Sequence, residues 1–172
     1  MKKLIYALTV SALFASCATL QSVVRSTFPY TSTLIIPASS STSTNMSVSS
    51  SASSFDQIFT GQGTNTSQVS QVRMASAKID AISPSIQSLG IFRSVKVYLV
   101  NGSNQTLVAS RTNISANAAS SLVLDVDNSK FLDEYLKSGS VRVKVDYVLQ
   151  NKLTVDLSVR ATLGFNVPPT AQ

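Results

Sequence analysis

Apolar and polar residues alternate with a period of two through much of the second half of the chain. Val141, Val143, Val145 and Tyr147 alternate with Arg142, Lys144 and Asp146. Leu153, Val155, Leu157, Val159, Ala161, Leu163, Phe165 and Val167 then keep the same rhythm. Successive side chains of a strand point to opposite faces, so this pattern marks half-buried strands. At roughly 3.3 Å per residue the second run would approach about 50 Å if straight. That exceeds a usual strand, so a bend at Gly164 or a change of partners along the run is expected. A three-residue turn at Leu149-Gln150-Asn151, with Asn151 left-handed, would pair the two runs as a hairpin. Val148 would then lie opposite Lys152 and Lys144 opposite Asp156. Sliding the register by two would oppose Asp146 to Asp156 and Arg142 to Arg160, which is unfavourable by a few tenths to about 1 kcal/mol.

Earlier segments follow the same period less strictly. Phe28, Tyr30, Leu34 and Ile36 share one parity, and Pro29 and Pro37 at the ends of that segment predict an edge strand. Residues 38–54 are nearly all Ser and Thr and predict a flexible loop, although Met46 and Val48 could join a ragged strand. Phe55-Asp56-Gln57-Ile58-Phe59, with Ser54 as a cap, suggests one helical turn broken by Gly61 and Gly63. Residues 69–82 read as a strand whose parity changes near Ala75 to Ala77, the mark of a bulge, and Pro84 ends it. Val95, Val97 and Leu99 alternate with Lys96 and Tyr98, Asn101-Gly102 signals a hairpin, and residues 106–111 return. Leu122, Leu124 and Val126 mark a fifth strand. A helix of roughly ten residues follows. Asp127, Asn128 or Ser129 is its cap, Phe131 and Tyr135 share a face, as do Leu132 and Leu136, and Gly139 is its stop.

About seven strands, short turns, one small helix and no βαβ rhythm predict an all-β fold. The arrangement resembles an antiparallel immunoglobulin-like β-sandwich, with a small up-and-down β-barrel as the alternative. The chain has one cysteine and no tryptophan, so it lacks the Cys, Trp, Cys core of true immunoglobulin domains, and the resemblance is one of architecture. Residues 27–172 are expected to form a single domain, large enough to fold without disulfides or metals.

The first residues carry a different pattern. Lys2 and Lys3 precede an apolar run from Leu4 to Phe14, and small residues Ala15 and Ser16 follow. That is the layout of a secretory signal peptide over residues 1–16. The run is shorter than the roughly 20 apolar residues a membrane-spanning helix needs. Leu13-Phe14-Ala15-Ser16-Cys17 resembles the lipobox of bacterial lipoproteins, with Phe14 standing where that family usually has leucine. The resemblance implies that the Cys17 thiol receives a diacylglycerol, that the leader is cut before it, and that the new amino terminus is acylated. Residues 17–26 would be the lipidated tether. Cys17 is the only cysteine, and an unpaired thiol in an exported protein calls for a reason, which lipidation provides. Two or more acyl chains anchor stably where one holds only marginally. No acidic residue follows in Ala18-Thr19-Leu20-Gln21-Ser22. By resemblance to lipoprotein sorting this implies the periplasmic face of an outer membrane. The alternative is plain secretion with cleavage after Ala18.

Charge and chemistry narrow the function. The net charge of +6 falls to +4 without the two leader lysines. The remaining basic residues are scattered, which argues against a nucleic-acid partner. Histidine is absent, removing the commonest general base and metal ligand. Glycosidase chemistry needs two facing carboxylates, whereas the acids here fall on wet faces or at element ends. Residues 125–134 offer acids at the first and third places of a calcium loop. Lys130 stands where glycine belongs, however, and Leu136 where the bidentate glutamate belongs. Helix capping by Asp127, with Asp133 and Glu134 in water, accounts for them better. No cofactor and no enzymatic activity are expected. The expected function is a lipid-anchored interaction or structural module of the bacterial cell envelope, presented to another envelope protein or a glycan. The alternative is a carrier that holds a lipid or other apolar ligand between its sheets.

Overall fold

The alternating segments become strands in the computed structural model, which describes residues 27–51, 70–136 and 142–166, with side chains from Tyr30 onward. The strands among the described residues are β1 (Thr27–Ile36), β2 (Asn45–Ser51), β3 (Arg73–Ser83), β4 (Phe92–Asn101), β5 (Asn104–Arg111), β6 (Ser121–Val123), β7 (Asp125–Val126), β8 (Arg142–Leu149) and β9 (Leu157–Asn166). They form two antiparallel sheets, ordered β1-β9-β3-β6 and β2-β8-β4-β5-β7. The fold is the expected antiparallel β-sandwich; among the described residues there are nine strands in place of about seven and no closed barrel.

Each sheet turns one parity inward. Tyr30, Leu34 and Ile36 of β1 and Leu157, Val159, Ala161, Leu163 and Phe165 of β9 are buried from one side. Val95, Val97 and Leu99 of β4 and Val143, Val145 and Tyr147 of β8 are buried from the other. Two edge-to-face ring pairs help fix the packing: Tyr30 with Phe165, centroids 6.1 Å apart, and Phe92 with Tyr147, 5.8 Å apart. The parity change in β3 is a bulge between Met74 and Ser76 that leaves Ala75 exposed. β1 lies at a sheet edge, as Pro29 near its start and Pro37 just after it predict.

Several expectations need correction. β8 and β9 do not form a hairpin: β8 pairs with β2 and β4, whereas β9 pairs with β1 and β3. The two runs face each other across the core, because alternation reports that one face is buried and not which strand lies alongside. After Leu149 the chain leaves one sheet for the other, held by backbone N–H groups of Gln150 and Asn151 that donate to the Ile91 carbonyl. The Gln150 side chain lies within 3.2 Å of the Ile114 carbonyl and 3.1 Å of the Phe92 carbonyl. Asn151 is not left-handed. Lys144 consequently has Ser49 and Tyr98 as strand neighbours instead of Asp156. The long run is shortened at its start: residues 150–156 are irregular, with Leu153 buried and Val155 exposed, and β9 keeps the same partners throughout.

The expected fifth strand divides in two. β6 joins β3 and β7 joins β5, in opposite sheets, with Leu124 buried at the crossing and its N–H donating to the Ala77 carbonyl at 3.0 Å. The parity survives because both sheets turn that side inward. Part of the predicted loop at 38–54 is strand β2, whose seven residues all pair with β8. Its backbone completes the open edge of β8 although its side chains offer little apolar surface. In the β4–β5 hairpin, Gly102 and Ser103 occupy the turn, and Gly102 has φ +59°. The glycine therefore takes the first central position, as in a type II′ turn, and Asn101 belongs to the strand. The helix is a single turn, α1 (Asp133–Leu136), among the described residues; Gly139 lies outside them. Residues 55–59 and Val167 also lie outside.

Candidate functional site

Cys17, the residue assigned to lipidation, lies outside the described residues, as does the whole of 1–26. Among the described residues no helix is long and apolar enough to cross a membrane.

The carboxylates of the described residues are mostly engaged in local structure. Asp127 accepts from the Ser129 N–H at 3.0 Å and the Ser129 hydroxyl at 2.5 Å, and lies 3.1 Å from the Lys130 ammonium. These contacts, the Ser129 hydroxyl first, hold its carboxyl down at about 2. The residue closes an Asx turn six positions ahead of Asp133 and does not cap α1 as expected. Asp80 is opposed by partial burial, but bonds from Ser121 and Lys78 and the charges of Lys78 and Arg160 outweigh that, and its pKa is lowered. Asp125 takes a guanidinium nitrogen of Arg111 on both oxygens, at 3.2 and 3.4 Å. Asp133 accepts weakly from the Val72 N–H at 3.4 Å, and Asp156 accepts from the Ala38 N–H at 2.8 Å. No three His, Cys, Asp or Glu side chains converge on a metal-sized site among the described residues. Within the calcium-like segment Asp125 is held in an ion pair and Asp127 in a turn and an ion pair. Phe131, half exposed, carries the Arg73 guanidinium 4.1 Å above its ring, and the same guanidinium donates to the Asn128 carbonyl at 2.7 Å.

Two surfaces are more distinctive. The outer face of the five-stranded sheet brings Tyr98, Lys144 and Gln105 together. The Lys144 ammonium lies 5.2 Å from the Tyr98 ring centroid, donates to Gln105 Oε1 at 3.2 Å, and contacts Asp146 Oδ1 at 3.2 Å. The last is an ion contact without hydrogen-bond geometry, since Asp146 Oδ1 is buried with no hydrogen-bond partner. Lys96 and Arg142 flank the cluster on neighbouring positions of β4 and β8.

The second surface is a cleft of about 350 Å³ lined by Ser39, Ser40, Ser41, Thr42 and Lys152. It sits where the β1–β2 connection meets the β8–β9 crossing. Ser40 is buried and its hydroxyl hydrogen-bonds the Tyr147 hydroxyl at 2.8 Å. This cleft was missed in the sequence because its lining comes from two segments more than a hundred positions apart. The one local signal of it in the sequence is the hydroxyl-rich composition of residues 38–54, which by itself indicates a loop.

Between the sheets, by contrast, the inward positions are occupied by Val, Leu, Ile and aromatic side chains packed as one cluster. Compared with models of known protein families and with curated proteins, the chain matches none.

Proposed function

We propose that this chain is a lipid-anchored lipoprotein of the bacterial cell envelope, with its β-sandwich serving as a non-catalytic interaction or structural module beside the membrane. The observation that carries the reading is Leu13-Phe14-Ala15-Ser16-Cys17 at the exit of a short apolar leader, with Cys17 the single thiol of the chain. Support for the non-catalytic part comes from the absence of histidine and from carboxylates held in turns and ion pairs. The packed cluster between the sheets favours this module over a carrier of apolar ligands. The periplasmic face of an outer membrane is the proposed location, and the cationic and aromatic outer face around Tyr98 the surface best suited to a protein or glycan partner.

Replacing Cys17 with serine tests the anchor. The parent is expected in the membrane fraction with added acyl mass, and Cys17→Ser in the soluble fraction with neither acylation nor lipoprotein cleavage. A variant that pellets as the parent does, with the same processing, would refute the anchor. Mass spectrometry of small molecules extracted from the purified protein separates module from carrier, a stoichiometric lipid being the result against the module.

A further inference from the structure

Three of the four sheet edges are unsuited to further pairing. β1 contains Pro29, which has no backbone N–H, and Pro37 follows it; β6 has three residues and β7 two. β2 differs. Its seven residues, Asn-Met-Ser-Val-Ser-Ser-Ser, contain neither proline nor charge. Its outer backbone edge has no strand beside it among the described residues. Natural sheets protect open edges with charges, prolines, bulges or very short strands, and β2 has none of these.

We propose that β2 is a self-association edge, at which two copies of this chain pair β2 to β2, antiparallel, about a twofold axis normal to the sheet. The side-chain period restricts the register, because inward residues must stay opposite inward residues. Centring on Val48 pairs the full strand, with Asn45 opposite the partner's Ser51, Met46 opposite the partner's Ser50, and Ser47 opposite the partner's Ser49. Centring on Ser47 or on Ser49 leaves residues at one end of each strand unpaired. The order of charges on β8 agrees with that register. Ser47 neighbours Asp146 and Ser49 neighbours Lys144. A centre at Ser47 would bring the two Asp146 rows together, and a centre at Ser49 the two Lys144 rows. The Val48 centre instead makes each row run from Asp146 through Ser47 and the partner's Ser49 to the partner's Lys144. Opposite charges thus stand along each row, whereas the other two centres align like charges. An edge contact of this length is smaller than the roughly 1,200 Å² of a tight interface, so the association is weak. It does not rest on the lipid anchor, although a shared membrane would concentrate the copies.

The test is sedimentation velocity of the full chain from low micromolar to several hundred micromolar, in detergent if it is membrane-bound. The parent should show a monomer–dimer equilibrium. The double variant Ser47→Lys with Ser49→Lys sets lysine against lysine twice across the junction and should weaken dimerisation about tenfold. The variant Ser47→Lys with Ser49→Glu sets lysine against glutamate and should restore it. Circular dichroism of all three confirms the fold, and the charge-swapped variant also controls for chains sharing a micelle. A parent that stays monomeric throughout the range overturns the proposal. So does a lysine–lysine variant that dimerises as the parent does, or a lysine–glutamate variant that fails to recover.

Discussion

β1 and β2 are both outer strands, one on each sheet, and they are held in opposite ways. β1 turns Tyr30, Leu34 and Ile36 into the core at 2% exposure or less. β2 turns in Met46, Val48 and Ser50, none of them fully buried. Both are paired along their whole length, β1 to β9 and β2 to β8. The difference shows that a strand can be recruited by an open backbone edge with little help from its own side chains. Such a strand is the part of the sheet that opens first, since local opening follows the number of buried apolar contacts.

The contrast can be broken most sharply in β1. Leu34→Ala is expected to cost about 2–5 kcal/mol, against less than about 1.5 kcal/mol for Val48→Ala in β2, measured by denaturant unfolding. Equal losses would mean that β2 is as deeply anchored as β1. Next in size is the link between the two strands. Ser40→Ala removes the hydroxyl partner of buried Tyr147, an expected loss of about 1–3 kcal/mol. Tyr147→Phe combined with Ser40→Ala should recover part of it, because neither polar group is then left alone. The smallest effect lies far from both edges, at Asp127. Its folded-state pKa is lowered from 3.8 to about 2, so the folded state favours the ionised form. That contribution is fully present above pH 3.8 and disappears as the pH falls through about 2. Asp127→Asn should remove it, making the variant's stability flatter with pH across that window. Carbon-detected NMR of the carboxyl should place its midpoint well below that of an exposed aspartate.

The same comparison explains which parts of the fold were legible beforehand. β1, β4, β8 and β9 announce themselves because burial of one face imposes a period of two on Val, Leu and aromatic residues. β2 does not, because serine is small and polar and its place depends on β8. Alternation also leaves pairing open, and Val145 and Val159 have the same periodicity whether their strands lie side by side or face to face. For that reason the β8–β9 hairpin was expected and a crossing between sheets was found. Leu122, Leu124 and Val126 posed the same ambiguity at β6 and β7. At the surface, Tyr98 and Lys144 could be placed on the wet face of their strands from parity, but their contact required knowing that β4 and β8 are neighbours. The hydroxyl-lined cleft needed the fold itself.

The pairing of β1 with β9, which sets Thr27 opposite Asn166, governs how the molecule comes into being. Among the described strands β1, the first made, pairs with β9 alone, the last made, and so distant a contact must be closed against the entropy of the long intervening chain. A polypeptide delivered end-on, from a ribosome or through a narrow channel, therefore cannot seal its four-stranded layer midway. Closure of that layer waits for β9, the last strand among the described residues.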